Sequence, residues 1–153
     1  MADKSKAGQS LPDYTIEVER VKIRELMGSI GDDNPLFTDR EAARSQGYPD
    51  TPCPPTFATT AFQEFTNAYL QAFELLGISL DDVLHGEEEY EYFAEIYPGD
   101  ILTCQMTVQS IVEKQTKSGS MDLITLLSNF TNQQGEKVLR AKSLIIERKR
   151  SDP

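Results

Sequence analysis

The feature of this sequence that most constrains its fold is an apolar-periodic stretch from Pro55 to Leu76. Its apolar side chains recur at the i, i+3, i+4, i+7 spacing of one helix face, and Gly77 ends the pattern. At about 1.5 Å per residue, the predicted helix is roughly 33 Å long. A stripe of this length needs an apolar partner surface, so we expect the helix to lie in the core. The stripe consists of Ala58, Ala61, Phe62, Phe65, Ala68, Tyr69, Ala72, Phe73 and Leu76.

Downstream of this helix, the apolar period changes to two, which is typical of strands. Polar residues with Gly and Pro separate the runs and predict turns. Successive hairpins of this kind give an antiparallel meander. With a short leading strand at 14–19, the pattern predicts an α+β fold, a long central helix wrapped by an antiparallel sheet. The later strands are predicted at 85–96, 101–117, 121–132 and 137–148, with turns at 97–100, 118–120 and 133–136.

Two of the predicted strands have a clear inward face. In the strand over 101–117, the apolar positions on one face are Leu102, Cys104, Met106 and Val108. In the last strand they are Leu139, Ala141 and Ile145. Because side chains alternate across a strand, these residues are predicted to face the central helix.

The length and charge limit the number of domains and the classes of partner. A chain of 153 residues favours one domain, predicted over 12–148, with flexible tails at 1–11 and 149–153. The net charge of −10 opposes binding to nucleic acid or to an anionic membrane, and no apolar run approaches a membrane span. The late basic residues are either a solubilising group or a site for a phosphate-bearing ligand. These are Arg140, Lys142, Arg148, Lys149 and Arg150.

Cysteine and histidine residues are too few to suggest a metal centre. Cys53 and Cys104 form neither a CxxC pair nor a disulfide framework. Two such thiols indicate a reduced, cytoplasmic protein. His85 is the only histidine, so neither a metal nor a redox cofactor is indicated.

Before the long helix, the sequence predicts a short helix over 21–30, a tight turn and a stiff connection. The turn at 31–39 is rich in Gly, Asp, Asn and Pro, and Asp39 is placed to cap a brief helix over 40–46. Residues 47–55 hold four prolines, which excludes a helix or a central strand. A stiff entry into the long helix fixes where its first N–H groups point, which matters for any ligand bound there.

The turn at 31–39 resembles the signature loop of MaoC-like (R)-specific enoyl-CoA hydratases and 3-hydroxyacyl thioester dehydratases. That loop reads approximately S-G-D-x-N-P-x-H-x-D, and this chain has Gly-Asp-Asp-Asn-Pro-Leu-Phe-Thr-Asp. The stretch His85-Gly86-Glu87, the Pro-Gly-Asp turn at 98–100 and the Pro-Pro-Thr-Phe run at 54–57 resemble the N-terminal-type branch of this family. The resemblance covers residues 12–148 and implies the hot-dog fold.

The match fails at one catalytic position. In the family, the Asp and the His of the loop orient and activate the water that adds across the enoyl double bond. Asp32 stands at the Asp position, but Phe37 stands at the His position and can neither accept nor donate a proton. Losing half of an acid/base pair costs on the order of 10²–10⁴-fold in rate. The sequence therefore leaves open whether this chain is an enzyme alone.

The resemblance implies a subunit. Members of the N-terminal-type branch that lack the dyad bind the acyl chain, while a partner domain performs the chemistry. The first hypothesis is a dehydratase or hydratase subunit for acyl thioesters of CoA or acyl carrier protein. It would form a homodimer, or a heterodimer with a dyad-bearing MaoC-like subunit. The alternative is a non-enzymatic hot-dog protein that binds acyl-CoA or serves as a scaffold, and a third reading is an enzyme whose displaced base is His85.

The loop residues each have a structural and a functional interpretation. Asp32 is either catalytic or, like Asn34, part of a turn held by hydrogen bonds from backbone N–H groups to its side chain. Asn34 could also contact the substrate. Phe37 either fills the space of the missing histidine or lines a channel for the acyl chain.

The residues at the helix start have the same two interpretations. Pro55, Thr56 and Phe57 either simply begin the helix or bind the substrate. In catalytic relatives the corresponding N–H polarises the thioester carbonyl, and Thr56 and Phe57 could donate here. The acidic run Glu87, Glu88, Glu89 and Glu91 is either a solvated face or a partner-facing one.

Overall fold

The computed structural model, which describes residues 1–58, 67–116 and 119–148, contains helices and strands in the predicted order. The α-helices of these residues are α1 (Arg20–Ile30), α2 (Arg40–Ser45) and α3 (Ala68–Leu76). The strands are β1 (Tyr14–Glu17), β2 (Val83–Tyr92), β3 (Ile101–Thr116), β4 (Gly119–Thr131) and β5 (Lys137–Arg148). The α+β class is confirmed, and none of the described helices has the length and apolarity to cross a bilayer.

The strands form one antiparallel sheet in the order β1-β3-β4-β5-β2. β3, β4 and β5 form the predicted meander, but β2 pairs with β5, so the prediction that it continues the meander beside β3 is wrong. The predicted turn at 97–100 is present, with the Asp100 N–H donating to the Tyr97 carbonyl at 3.1 Å. The chain leaves the sheet before this turn, because Ile96 is buried and its carbonyl accepts the Cys53 N–H at 2.8 Å. Because β2 pairs with β5 and is the last strand in the sheet order, it is an edge strand.

The predicted inward faces of β3 and β5 are confirmed. Their apolar side chains are buried, and they divide between two groups that we call the first and second core clusters. The first cluster includes Val18, Ile23, Met27, Cys53, Phe57, Ala58, Ile96, Leu102, Cys104, Phe130, Val138, Leu139 and Ala141. The second includes Ala2, Leu11, Ala68, Ala72, Phe73, Leu76, Ile78, Met106, Val108, Ile124, Leu126 and Ile145.

The long helix differs from the prediction at Asn67. This residue has a φ of 55° and occupies the N-cap position of α3 without a capping hydrogen bond from its side chain. α3 runs from Ala68 to Leu76 and ends at Gly77, which is in the left-handed region. A left-handed residue cannot lie inside a right-handed helix, so the predicted helix is not continuous through Asn67. Residues 59–66 of the predicted stripe lie outside the described residues. The spacing of apolar residues does not reveal a single residue with a left-handed backbone conformation, so it could not predict the break at Asn67.

The N-terminal segment also departs from the predicted flexible tail. Ala2 and Leu11 are buried in the second core cluster. The Asp3 N–H donates to the Leu76 carbonyl at 2.9 Å, and the Leu11 N–H donates to the Met106 carbonyl at 2.8 Å. Residues 1–11 are therefore held against α3 and β3. The predicted tail at 149–153 lies outside the described residues.

Both cysteines are buried free thiols in the first core cluster. Burial raises the pKa of the Cys53 thiol well above its ordinary range and raises that of Cys104 to about 12. Because the thiolate is the reactive form, both side chains act as small apolar groups in the core.

An ion pair fixes the entry to the helix start. The Arg20 guanidinium donates from both Nη atoms to the two Asp50 carboxylate oxygens, each at 2.8 Å, and from Nη1 to Thr51 Oγ1 at 2.7 Å. Such bidentate pairs are geometrically specific as well as strong. α1 is thereby attached to the proline-rich connection before Phe57.

We expect this pair to make stability pH-dependent. The hydrogen bonds from Arg20 lower the pKa of Asp50 to about 2. This folded-state pKa lies below the unfolded value. The contribution of the Arg20–Asp50 pair to the free energy of unfolding is therefore complete above about pH 4 and is lost as pH falls toward 2. Asp50→Asn should therefore lower the free energy of unfolding by about 1 kcal/mol at pH 7, after allowance for solvent screening. Urea titrations across this pH range should show the difference shrinking in acid, and a constant difference would contradict the assignment.

Candidate functional site

The loop after α1 is held by its own polar side chains. Gly31, with a φ of 70°, ends α1, and the Asp32 N–H donates to the Met27 carbonyl at 3.1 Å. Asp32 Oδ1 accepts the Asn34 N–H at 2.9 Å, and Asn34 Oδ1 accepts the Leu36 N–H at 3.0 Å. Both side chains are exposed and each completes a turn. This arrangement matches the turn interpretation, in which both side chains accept hydrogen bonds from backbone N–H groups of their own loop.

Phe37 lies where the signature has histidine, and its ring turns towards the core. The side chain is half-buried and packs against the first core cluster. Residues 35–37 form one turn of 3-10 helix, and the Asp39 side chain then caps α2 as predicted. The loop therefore offers a carboxylate but no second proton-transfer group at this position.

The helix start and the loop both contribute to the first core cluster, and the helix start is only partly accessible. Phe57 belongs to the first core cluster against which Phe37 packs, and it is only 2% exposed. The Phe57 N–H donates to the Pro54 carbonyl at 3.0 Å, so it is already engaged. Pro55 and Thr56 are exposed, and the Pro55 carbonyl accepts the Tyr92 hydroxyl at 2.8 Å. Of the three predicted binding residues, Phe57 is thus a core residue in this structure.

His85 lies in a separate hydrogen-bonded group, which we call the β2 polar cluster: Tyr69, His85, Glu88 and Ser143. His85 Nε2 is 2.6 Å from Glu88 Oε1, and the Tyr69 hydroxyl is 2.9 Å from the same oxygen. Tyr69 Oη is also 2.8 Å from Ser143 Oγ. Burial raises the pKa of Tyr69 well above its ordinary range, so its phenol remains a donor. Among the described residues, no hydrogen bond joins this cluster to Asp32.

A bulge brings His85 and Glu88 to the same face. Residues three apart on a regular strand point to opposite faces, but the β2–β5 register shifts between His85 and Glu87. His85 then lies opposite Ile145, and Glu88 lies opposite Ser143, both on the buried face of β5. The interpretation of the acidic run as one exposed face thus misses Glu88. Glu89 and Glu91 do lie on the outer face, where they pair with Lys142 and Arg140.

An apolar cavity of about 310 Å³ lies beside this cluster, between α3 and β2. This volume is at the lower end of the range of small-molecule sites, about 300–1,000 Å³. Its walls are Tyr69, Phe73, Leu80, Val83, Leu84, His85 and Ile145. This site is not predictable from the sequence, because the apolar stripe on α3 is equally typical of plain core packing. The sequence did offer one signal for this site: Tyr69 lies before the turn-rich connection that follows α3, and His85 and Glu88 lie after it.

Comparison with known proteins places the chain in a family. The sequence model described as the FAS1-like dehydratase domain region matches residues 5–141. A UPF0336 protein of Saccharopolyspora erythraea is 35% identical over 147 residues, covering 95% of this chain and 91% of that one. A UPF0336 protein of Streptomyces coelicolor is 32% identical over 147 residues, covering 95% of both chains.

Solved structures share the fold. A MaoC-like dehydratase superposes with a TM-score of 0.80 at 28% identity, over 94% of this chain and 42% of that longer chain. The HadBC (3R-hydroxyacyl-ACP dehydratase) complex of Mycobacterium tuberculosis gives 0.78 at 23% identity, over 92% and 96% of the two chains. The ChsH1–ChsH2 complex of the same organism gives 0.73 at 20%, over 98% and 89%. The chain has the hot-dog fold of MaoC-like dehydratases and belongs to the family of FAS1-like dehydratase domains.

Proposed function

We propose that this chain is the acyl-chain-binding subunit of a MaoC-like dehydratase or hydratase for acyl thioesters of CoA or acyl carrier protein. The observation that carries the proposal is Phe37, which occupies the histidine position of the loop and packs against the first core cluster. In the complete loop two groups share the proton transfers between water and substrate, and this loop keeps only Asp32, which lowers the expected rate by about 10²–10⁴-fold. A second subunit with a complete Asp/His loop would supply that chemistry.

Known assemblies of this fold support pairing between unlike subunits. The HadBC and ChsH1–ChsH2 structures are both complexes of two named components. In this chain, β2 lies at one edge of the sheet, and its outer backbone groups have no neighbouring strand among the described residues. Pairing of this edge with a strand of a second subunit would satisfy those groups. Either a second copy or a dyad-bearing subunit would fit, and the missing proton-transfer group favours the latter.

The apolar cavity supports acyl-chain binding. Phe73, Leu80, Val83, Leu84 and Ile145 give it aliphatic and aromatic walls suited to a hydrocarbon chain. We place the acyl chain there and the thioester towards Asn34, Pro55 and Thr56. The Tyr92 hydroxyl donates to the Pro55 carbonyl, so the helix start lies at the opposite end of β2 from the cavity. At about 3.3 Å per residue these two places are roughly 25 Å apart, so only a long acyl chain would reach both. The buried free thiols are compatible with a reducing, cytoplasmic setting.

Co-purification tests this proposal. The tagged chain is expressed with a MaoC-like subunit of the same organism that carries the complete Asp/His loop, and the eluate is analysed by sedimentation. We expect a one-to-one complex. A stable homodimer that excludes such a subunit, yet binds acyl-CoA, would instead support the non-enzymatic hot-dog protein.

A further inference from the structure

The outer face of the sheet carries a row of aliphatic side chains where a solvated face would be polar. Near one end of the sheet, four residues that pair directly across neighbouring strands form what we call the outer row: Val112 of β3, Leu123 of β4, Ile146 of β5 and Leu84 of β2. A row nearer the other end of the sheet is polar throughout and consists of Gln105, Asn129, Arg140 and Glu91. The usual alternation of an antiparallel sheet, apolar inside and polar outside, therefore breaks down at the outer row.

The burial pattern shows that the outer row points away from the core. The chain neighbours Ile124 and Ile145 are buried, and side chains alternate between the two faces of a strand. Val112 is 55% exposed, and Leu84, which also borders the apolar cavity, is 45% exposed. None of the outer row is among the described residues that form the two core clusters. A continuous apolar row on an otherwise polar surface indicates an interaction site.

The size of this face fits a second sheet. Four strands about 4.8 Å apart are about 19 Å wide, and residues 140–148 of β5 extend for about 30 Å. Covering this rectangle would bury roughly 550–600 Å² of each copy and about 1,100–1,200 Å² in total, just above the roughly 1,000 Å² of a specific interface. A single α-helix, about 10 Å across, would cover only about half of the width. The net charge of −10 disfavours an anionic membrane as the cover.

The distribution of charge favours a second copy related by a twofold axis that runs parallel to the strands, between β4 and β5. This rotation exchanges β4 with β5 and β3 with β2, so Val112 of one copy lies over Leu84 of the other, and Leu123 lies over Ile146. The charged side chains of the adjoining rows then lie over uncharged ones: Lys142 over Leu127, Arg140 over Asn129, Glu89 over Thr107 and Glu91 over Gln105. Each of these charges keeps the ion pair within its own copy, and like charges do not meet in these rows.

We propose that the outer face of the sheet binds the same face of a second copy of this chain, related by that twofold axis and with the two outer rows in contact. Two antiparallel sheets pack stably in this way, about 10 Å apart and with their strands within about 30° of each other. The interface leaves the edge of β2 open, so the inference goes beyond the proposed function and does not depend on it. A catalytic complex would then contain two copies of each subunit.

Sedimentation of the full chain in about 0.15 M salt, where repulsion is screened beyond about 8 Å, tests this interface. We expect a dimer at micromolar concentrations. Val112→Lys should weaken it at least about 100-fold, because the twofold axis buries the new charge twice. Ile30→Lys is the matched control, since Ile30 is also 55% exposed but lies at the end of α1, and this variant should leave the dimer unchanged. Urea unfolding of both variants checks that they fold.

A pair of opposite charges tests the arrangement itself. Because Val112 of one copy meets Leu84 of the other, Leu84→Glu should also weaken the dimer. Mixing the Val112→Lys chain with the Leu84→Glu chain should restore a dimer of one of each, at least about tenfold tighter than either variant forms alone. If both variants fold but the mixture forms no such dimer, the proposal is overturned. A dimer that is insensitive to Val112→Lys would place the interface elsewhere, such as at the edge of β2, and would also overturn it.

The outcomes distinguish this inference from the proposed function. A chain that is a monomer by itself, yet forms a complex of one copy of each subunit, would support the proposed function and overturn the inference. A monomer whose complex with the catalytic subunit is lost in Val112→Lys would assign this face to the unlike subunit and would also overturn it. A dimer that depends on Val112 and binds no catalytic subunit would support the inference and count against the subunit role.

Discussion

Mixed with a MaoC-like subunit that carries a complete Asp/His loop, this chain is expected to hydrate enoyl-CoA at least about 10²-fold faster than it does alone. The low rate expected for the chain alone is due to a single residue, Phe37. Phe37 packs against the first core cluster and cannot transfer a proton, so Asp32 lacks the second member of the acid/base pair. The size of the gain follows from what a positioned acid or base contributes, about 10²–10⁴-fold.

Crotonyl-CoA and a longer enoyl-CoA are suitable substrates, because the pair also reports on the acyl cavity. Hydration is followed by loss of the enoyl absorbance for the chain alone, the complex and a complex whose catalytic subunit has lost its loop histidine. The last should fall back to the rate of the isolated chain. Clear hydration by the chain alone, abolished by Asp32→Ala, would show instead that Phe37 is not disabling. His85 would then be the first group to examine.

Phe57→Ala is expected to lower the free energy of unfolding by about 3–5 kcal/mol, whereas Thr56→Ala should change it by less than about 0.5 kcal/mol. The two residues are adjacent at the helix start, but Phe57 is 2% exposed in the first core cluster and Thr56 is exposed. Truncating a buried Phe removes apolar transfer energy and leaves a cavity. Truncating an exposed Thr does neither.

Urea unfolding of both variants measures the difference, and acyl-CoA binding to both provides the complementary test. If Thr56 contacts the thioester, Thr56→Ala should weaken binding at unchanged stability. A small loss of stability in Phe57→Ala, together with a large loss of binding, would assign Phe57 to the substrate site and not to the core. A conservative Phe57→Leu variant should recover most of the stability without restoring any ring-specific contact.

The sequence predicted the sheet well where one face is buried and the other is exposed. Leu102, Cys104 and Met106 alternate with polar residues, and burial of one face imposes that period on any strand. The pairing of β2 was not predictable in this way. In a strand made mostly of charged residues, the apolar pattern does not indicate which strand pairs with it. The turn at 97–100 connects β2 to β3 in the sequence and therefore suggested pairing with β3, whereas β2 pairs with β5.

The candidate site was predicted in its parts and not in its arrangement. The loop signature drew attention to Asp32 and Phe37, and their geometry agrees with the turn reading of that segment. The contact between Tyr69 and Glu88 depends on packing α3 against β2, which no local pattern encodes. The sequence identifies His85 as the only histidine and a candidate base, but its contact with Glu88 follows only from the bulge in β2, which the sequence does not predict.

That bulge makes position 86 a marker that can be read from other sequences. A Cβ atom on Gly86 would lie 3.1 Å from the Leu144 carbonyl oxygen and 3.1 Å from Ile146 Cδ1. A larger residue there would require Leu144 or Ile146 to move by a few tenths of an ångström. If β2 paired with β5 without the bulge instead, the one-residue slip would turn residue 85 from the inner to the outer face. A relative with glycine at this point, followed two residues later by glutamate, is expected to keep its histidine turned inward. One with a bulky residue at the same point is expected to present it to solvent.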